Sequence, residues 1–231
     1  MKTSILVLAT AAVGLLFLTG CETTSISDSG FYRSPYFRGE LSEFSVVGVT
    51  ANTNITEAVI STALSDSHQV VVRRRQSVMV IQSGAATPDE PLLEELQKYF
   101  LVVPFSGVPV EATPVHAETL RLTAANGGCA AVICYWGVLE RARVNEATKG
   151  VSWVPVVGYF VPDERQRMRI RLRAALIDVA SGHWMMLNPR PFESDRLSAG
   201  FIRESSDQYQ VEKLKDSAYK SLVQQILICS R

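Results

Sequence analysis

The apolar positions of the chain fall into a few clear periods. Over 166–179 the alternation is strict: Met168, Ile170, Leu172, Ala174 and Leu176 share one face. The opposite face reads Arg167, Arg169, Arg171 and Arg173 before switching to Ala175, Ile177 and Val179. A period of two predicts a strand, because successive side chains leave opposite faces of a pleat. Residues 130–144 repeat the switch in reverse, with Ala131, Ile133, Tyr135, Gly137 and Leu139 followed on the same face by Arg141 and Arg143. That predicts a second long strand. Ser181-Gly182 predicts a hairpin turn, after which 184–187 returns antiparallel. Over 210–229 the period lengthens: Val211, Leu214, Ala218, Leu222, Ile226 and Cys229 make one helical stripe.

Shorter patterns fill in the rest. Residues 44–49 read as a first strand, beginning the folded domain at Phe44. Asn54 and Glu57 have the spacing of a capping box, so a helix is predicted over 55–65. A strand follows at 69–72, running into Arg73-Arg74-Arg75, and a short helix at 76–82. Leu92, Leu93 and Leu96 mark a helix over 90–100, and 101–103 a short strand. The helix over 117–126 ends at Gly127-Gly128, which suits a left-handed C-terminal cap. Residues 150–161, interrupted by Pro155, read as an edge piece. This order predicts a single layered α/β domain: a mixed sheet whose long antiparallel strands are packed by helices. No internal repeat is visible.

The N-terminus changes the picture. Lys2 precedes an apolar run at 5–18, which has signal-peptide length. A transmembrane helix takes about 20 apolar residues. Cleavage after Gly20 would remove residues 1–20 and leave 211. Leu18-Thr19-Gly20-Cys21 resembles the lipobox of bacterial lipoproteins. The resemblance implies that Cys21 is acylated, palmitate included, and becomes the first mature residue. It further implies a lipid-anchored protein on the periplasmic face, with Glu22 pointing to the outer membrane if the cell is Gram-negative. Residues 21–43 are polar and Ser/Thr-rich at first and read as a tether, with Phe31, Tyr32, Tyr36 and Phe37 docking it on the domain or on the membrane interface. The domain itself takes 44–231.

Charge and candidate chemistry refine this only locally. The chain carries 23 basic and 23 acidic residues, so nothing global points to nucleic acid. Beyond Cys21, Cys129, Cys134 and Cys229 allow at most one internal disulfide. His68, His116 and His183 are scattered and form no metal-binding helix motif. His116-Ala-Glu118 with Cys129 and Cys134 lacks the two-residue cysteine spacing of a zinc deaminase. Nucleophile-elbow, phosphate-loop and dinucleotide motifs are absent, so no metal or cofactor is expected. Ser106 has no visible base.

The arginines are the one feature with chemistry in it. Paired antiparallel, the two long strands would bring Arg141, Arg143, Arg167, Arg169, Arg171 and Arg173 to one end of the sheet, beyond the helical cover. One reading is a solvated extension neutralised by Glu140, Glu146, Asp163 and Glu164, in which each exposed pair contributes about 0–1 kcal/mol. The other is a site for an anionic partner, since the guanidinium fork matches carboxylate and phosphate.

Tyr135-Trp136, the stretch from Trp153 to Pro162, and Arg173 to Gly182 with its Asp178 and Ser181-Gly182 hairpin look like the C-terminal half of bacterial envelope lipoproteins. The pattern resembles the rhombotarget lipoprotein group and, more broadly, the α/β domain of the curli-secretion lipoprotein CsgG and the N-terminal part of TolB. The likeness implies an envelope binding, scaffold or assembly component, with oligomers possible, rather than a catalyst. The alternative is an envelope hydrolase, peptidase-like, whose site is not readable from the sequence.

Overall fold

The computed structural model describes residues 21–29, 37–48, 55–66, 70–109, 116–145, 164–198 and 203–229. Its centre is a pair of long strands, β4 (Ala131–Asn145) and β5 (Glu164–Asp178), antiparallel along their whole length from Ala131↔Asp178 to Asn145↔Glu164. The other strands divide this hairpin into two halves. In the first, β2 (Ser77–Gln82) runs parallel to Ala131–Tyr135 of β4, β3 (Leu101–Phe105) is parallel to β2, and β6 (Trp184–Leu187) is antiparallel to Ala174–Ile177 of β5. In the second, β1 (Cys21–Ser25) pairs with Val138–Ala142 of β4, and β7 (Phe192–Ser198) pairs with Glu164–Ile170 of β5, both antiparallel. The result is one seven-stranded mixed sheet, as the alternation of the long strands predicts.

Helices cover both faces of the first half. Against one face lie α3 (Glu90–Gln97), through Leu92, Leu93 and Leu96, and α5 (Arg203–Ile228), through Leu214, Ala218, Leu222 and Ile226. They meet Val78, Val80, Ile133 and Tyr135 of the sheet. Against the other face lie α1 (Glu43–Val47), through Val46, and α4 (Ala117–Asn126), through Leu120 and Ala124. They meet Met79, Ile81, Val132, Cys134 and Ile177. We call this three-layered part the core half. In the free half, Leu139, Met168, Ile170 and Leu172 are buried in the cluster that includes α5, while the opposite face carries the arginines of β5 and no helix among the described residues.

Four sequence expectations change. The helix predicted over 76–82 is instead a central strand, Ser77–Gln82. Val78 and Val80 face one core and Met79 and Ile81 the other, so burial on both sides hides the period of two. Val70 and Val72 are buried but extend no strand of the sheet, whose place beside β4 belongs to β2. Residues 44–47 form one helical turn rather than a strand. Gly48 takes a left-handed conformation (φ 89°), and its N–H donates back to the Phe44 carbonyl, closing that turn. Phe44 is left exposed while Val46 is fully buried.

The fourth change concerns the stretch read as a tether. Within 21–43, Cys21–Ser25 is a sheet strand, a 3-10 turn at Ile26–Asp28 follows, and Ile26 and Leu41 are buried. Thr23 and Thr24 favour extended structure, and the edge of β4 beyond β2 needs a partner for its backbone groups. Helix α2 (Glu57–Ser65) forms as expected and buries none of its residues. Its cap is Thr56, whose hydroxyl accepts from Val59 N at 3.4 Å, whereas Asn54 lies outside the described residues. So do residues 1–20, including Gly20, and the edge piece at 150–161.

Candidate functional site

The free half is assembled row by row across four strands. Thr23 of β1, Glu140 of β4, Arg169 of β5 and Glu193 of β7 are successive cross-strand partners and so share a face. The rows on either side place Arg167 beside Ala142 and Arg171 beside Val138. Arg173 lies beside Trp136, where residues 40–47 begin to cover the sheet: Trp136 Nε1 donates to the Leu41 carbonyl at 2.8 Å.

This register divides the six arginines. Arg167, Arg169 and Arg171 line the uncovered face, and Arg173 lies on the same face at the margin of α1. Arg141 pairs with Met168 and Arg143 with Gln166, one residue out of step, so Arg141 belongs to the face that buries Leu139 and Ile170. The two runs of alternation share an end of the sheet but not a face, because cross-strand partners fix which positions coincide.

The four face arginines are laced with carboxylates. Glu140 accepts from Arg169 Nε and lies 3.2 Å from Arg171 Nε. Glu193 meets Arg169 Nη1 at 3.3 Å, and Glu43 of α1 meets Arg173 Nη1 at 2.8 Å. On the other face Arg141 Nη1 is 3.8 Å from Glu22. The hydrogen bond from Arg169, reinforced by the charge of Arg171, holds the Glu140 carboxyl below the usual range. Of the four acids expected to neutralise the arginines, Glu140 does so. Glu146 and Asp163 lie outside the described residues, and the backbone alone is described at Glu164. Glu193 and Glu43 were missed; the alternation of Phe192-Glu193-Ser194-Asp195 beside an arginine strand is the signal that could have found the first. A groove of about 610 Å3, lined by Thr23, Glu140, Arg167, Arg169 and Glu193 among others, runs over this face.

A second polar cluster lies at the junction of the two halves, and no sequence motif announces it. Asp89 Oδ2 accepts from Tyr219 Oη at 2.5 Å and from Lys215 Nζ at 2.8 Å. Tyr135 Oη donates to Gln82 Oε1 at 2.6 Å, and Gln82 Nε2 donates to Ser27 Oγ at 3.1 Å. Ser27 Oγ donates in turn to the Ser83 carbonyl at 2.6 Å, and Lys215 Nζ also donates to the Ile26 carbonyl at 3.2 Å. Tyr135 and Tyr219 are fully buried, edge to face, and burial pushes both phenols well above their ordinary range. Every member has a partner, so the cluster is a clasp joining the N-terminal segment to β2, β4, α3 and α5. Lys215, four residues from Tyr219 on an otherwise apolar stripe, is the trace it leaves in the sequence.

Ile26 completes the clasp by packing into the sheet over Gly137. A Cβ at Gly137 would lie 2.5 Å from Ile26 Cδ1, so only glycine admits this approach. Burying an isoleucine in this way contributes about 2 kcal/mol.

The remaining chemistry-bearing residues are dispersed. Cys129 and Cys134 are buried free thiols, and burial pushes the Cys134 thiol far up. Cys229 is also free and touches Met185 Sδ at 3.4 Å. His116 and Ser106 are exposed. Asp178, Ser181 and His183 meet in the β5–β6 turn, but His183 does so through its backbone N–H, which donates to Ser181 Oγ, whose hydroxyl donates to Asp178. That is a turn geometry, and the His183 imidazole Nε2 lies 4.0 Å from Asp66 Oδ2. Among the described residues no group of three or more His, Cys, Asp or Glu side chains is placed to hold a metal. No helix among them is long and apolar enough to cross a membrane.

The fold is a mixed α/β domain built on one long antiparallel pair of strands. Residues 42–228 match the family model of the YafT bacterial lipoprotein, and the chain belongs to that family. No curated protein matches it. Among solved structures it is similar to a PelC dodecamer from Paraburkholderia phytofirmans, with 14% identity, a TM-score of 0.29 and coverage of 68% of this chain and 94% of that one. It is also similar to the protein CT253 of Chlamydia trachomatis (9% identity, TM-score 0.27, coverage 67% and 94%). A third is a neuraminyllactose-binding hemagglutinin homologue of Helicobacter pylori (11%, TM-score 0.28, 69% and 90%). The family match bears out a bacterial lipoprotein; the likeness to the rhombotarget and CsgG groups goes beyond it.

Proposed function

We propose that this chain is a lipid-anchored envelope domain that acts by binding or scaffolding another envelope component and is not a catalyst. Membership of a bacterial lipoprotein family carries the reading. On this reading Cys21, after an apolar run ending Leu18-Thr19-Gly20, is the acylated residue and Gly20 the last residue of the signal peptide. Two acyl chains or more on one cysteine suffice for stable anchoring, since each buried CH2 contributes about 0.8 kcal/mol. The periplasmic face of the outer membrane is the location this reading favours, by the Glu22 that follows.

The partner surface on this reading is the uncovered face of β5. Its arginines alternate with Glu140, Glu193 and Glu43, so it presents both charges in a fixed order. A lattice of this kind suits a protein with the complementary order better than a uniform polyanion. Cys21→Ser should move the protein from the membrane to the soluble fraction; retention in washed membranes would overturn the anchor. Crosslinking in intact membranes should capture one partner with wild type and lose it with Arg169→Gln/Arg171→Gln. Equal capture by both would remove the arginine face from the reading.

A further inference from the structure

We infer that the outer edge of β6 is a dimer interface, at which a second copy of this chain adds its own β6 antiparallel across a two-fold axis. The inference stands apart from the anchor and from the arginine face.

Among the described residues β1, β3, β6 and β7 border the sheet, and three of these strands are guarded against pairing. In β3, the Leu101 N–H donates to the Gln76 carbonyl, so Leu101, Val103 and Phe105 turn their backbone groups toward β2. Val102 and Pro104 then turn theirs outward, and Pro104 has no N–H to offer there. Strand β1 carries Glu22, and β7 carries Glu193, Asp195 and Arg196, charges of the kind that oppose edge-to-edge pairing. Strand β6 reads Trp-Met-Met-Leu, with neither charge nor proline. It is the unguarded edge.

Its backbone is placed to pair. The Asp178 N–H donates to the His183 carbonyl, and the register runs on from Ile177↔Trp184 to Ala174↔Leu187. Bonded and non-bonded pairs alternate along an antiparallel ladder. Met185 and Leu187 therefore bond to β5, whereas Trp184 and Met186 point N–H and C=O away from it. Among the described residues no strand pairs with that side. The side chains agree: Trp184 is 45% exposed, and Met185 and Met186 are half-buried.

Outward residues on either side of Met185 make a self-complementary pattern. Rotation about an axis at Met185 sets Trp184 of one copy opposite Met186 of the other, and each such pair exchanges both of its bonds. On one face of the joined sheet the indole then lies beside a thioether, a favourable contact. On the other face Met185 meets Met185, and its Sδ is 3.4 Å from Cys229 Sγ in the same chain. The two Cys229 thiols thus come to the same side of the axis. Pro189, two residues past Leu187, limits the ladder, so a strand of equal length fits without overhang. A lone peptide on so short a strand would add little beyond marginal backbone pairing. A second copy brings the same apolar side chains on a strand already held in a sheet.

The test measures the mass of the full-length protein in mild detergent by sedimentation. Wild type should be a dimer. Trp184→Lys, on an exposed side chain, should weaken it by about tenfold or more. Met186→Pro removes an outward N–H, leaves the bonds to β5 in place, and should give monomer with an unchanged circular dichroism spectrum. Should that variant fail to fold, Trp184→Lys decides alone. Arg169→Gln/Arg171→Gln should remain dimeric. A short bismaleimide should couple the two copies through Cys229, since Cys129 and Cys134 are buried. Cys229→Ser should lose the coupling and keep the dimer mass. A monomeric wild type overturns the inference, including the case in which a photocrosslinker at position 184 captures a different protein in membranes. So does a dimer, or a larger assembly, that persists unweakened in Trp184→Lys.

Discussion

The two halves of the long hairpin share strands but not the forces that hold them. In the core half, Ile133, Leu176 and Cys134 are buried between the helices of the two faces. In the free half, one face is packed through Met168, Ile170 and Leu172, and the other is a lattice of exposed ion pairs. The same strand therefore passes from interior to surface between Arg173 and Ala174. The difference teaches that β5 is held by buried packing at its C-terminal end and carries an exposed ion-pair lattice on one face at its N-terminal end.

That division can be broken at several points. Leu176→Ala, in the core half, should cost about 2–5 kcal/mol in urea denaturation through the cavity it leaves. A loss under 1 kcal/mol would mean that the helical cover is loose. Gly137→Ala, at the junction, should cost about 1–3 kcal/mol by overpacking against Ile26. Limited proteolysis should then cut within 21–29 faster than in wild type. Tyr219→Phe removes one of the two side-chain donors to Asp89 and should cost about 1 kcal/mol, with the fold retained by circular dichroism. Arg171→Gln, in the free half, should change stability by less than about 1 kcal/mol, and any change should fade in high salt.

The smallest effect is the pH response of Glu140. Its carboxyl is held below the usual range by Arg169, so the folded state binds its proton less readily than the unfolded chain. Its contribution is complete above the unfolded carboxyl range near pH 4.3 and fades as the pH falls through the lower folded value. Glu140→Gln should therefore lose less stability than wild type between pH 5 and pH 3, measured by the shift in urea midpoint. An identical acid profile would show that the ion-pair lattice does not contribute.

Much of the core half was legible because its strands alternate and its closing helix shows a clean stripe from Val211 to Ile226. The failures have physical causes. Ser77–Gln82 is buried on both faces, and a continuous apolar run carries no period. Cys21–Ser25 is polar because it borders the sheet, and an edge strand of threonines resembles a linker in composition. The arginines were legible as residues but not as a face. A strand pattern fixes alternation, while the partner register, here Arg169 opposite Glu140, decides which alternating sets coincide. The clasp around Asp89 was invisible because its members come from five separated segments.

The bond from Lys215 to the Ile26 carbonyl has a consequence for the order in which the chain folds. It joins residues 189 positions apart, and its donor lies on the last helix of the chain. Contacts of such long range form late, after many loops have closed. As the chain emerges from N- to C-terminus, Ile26 arrives early and Lys215 nearly last. The strand that begins at Cys21 is therefore fully fastened only when almost the whole chain is available to fold.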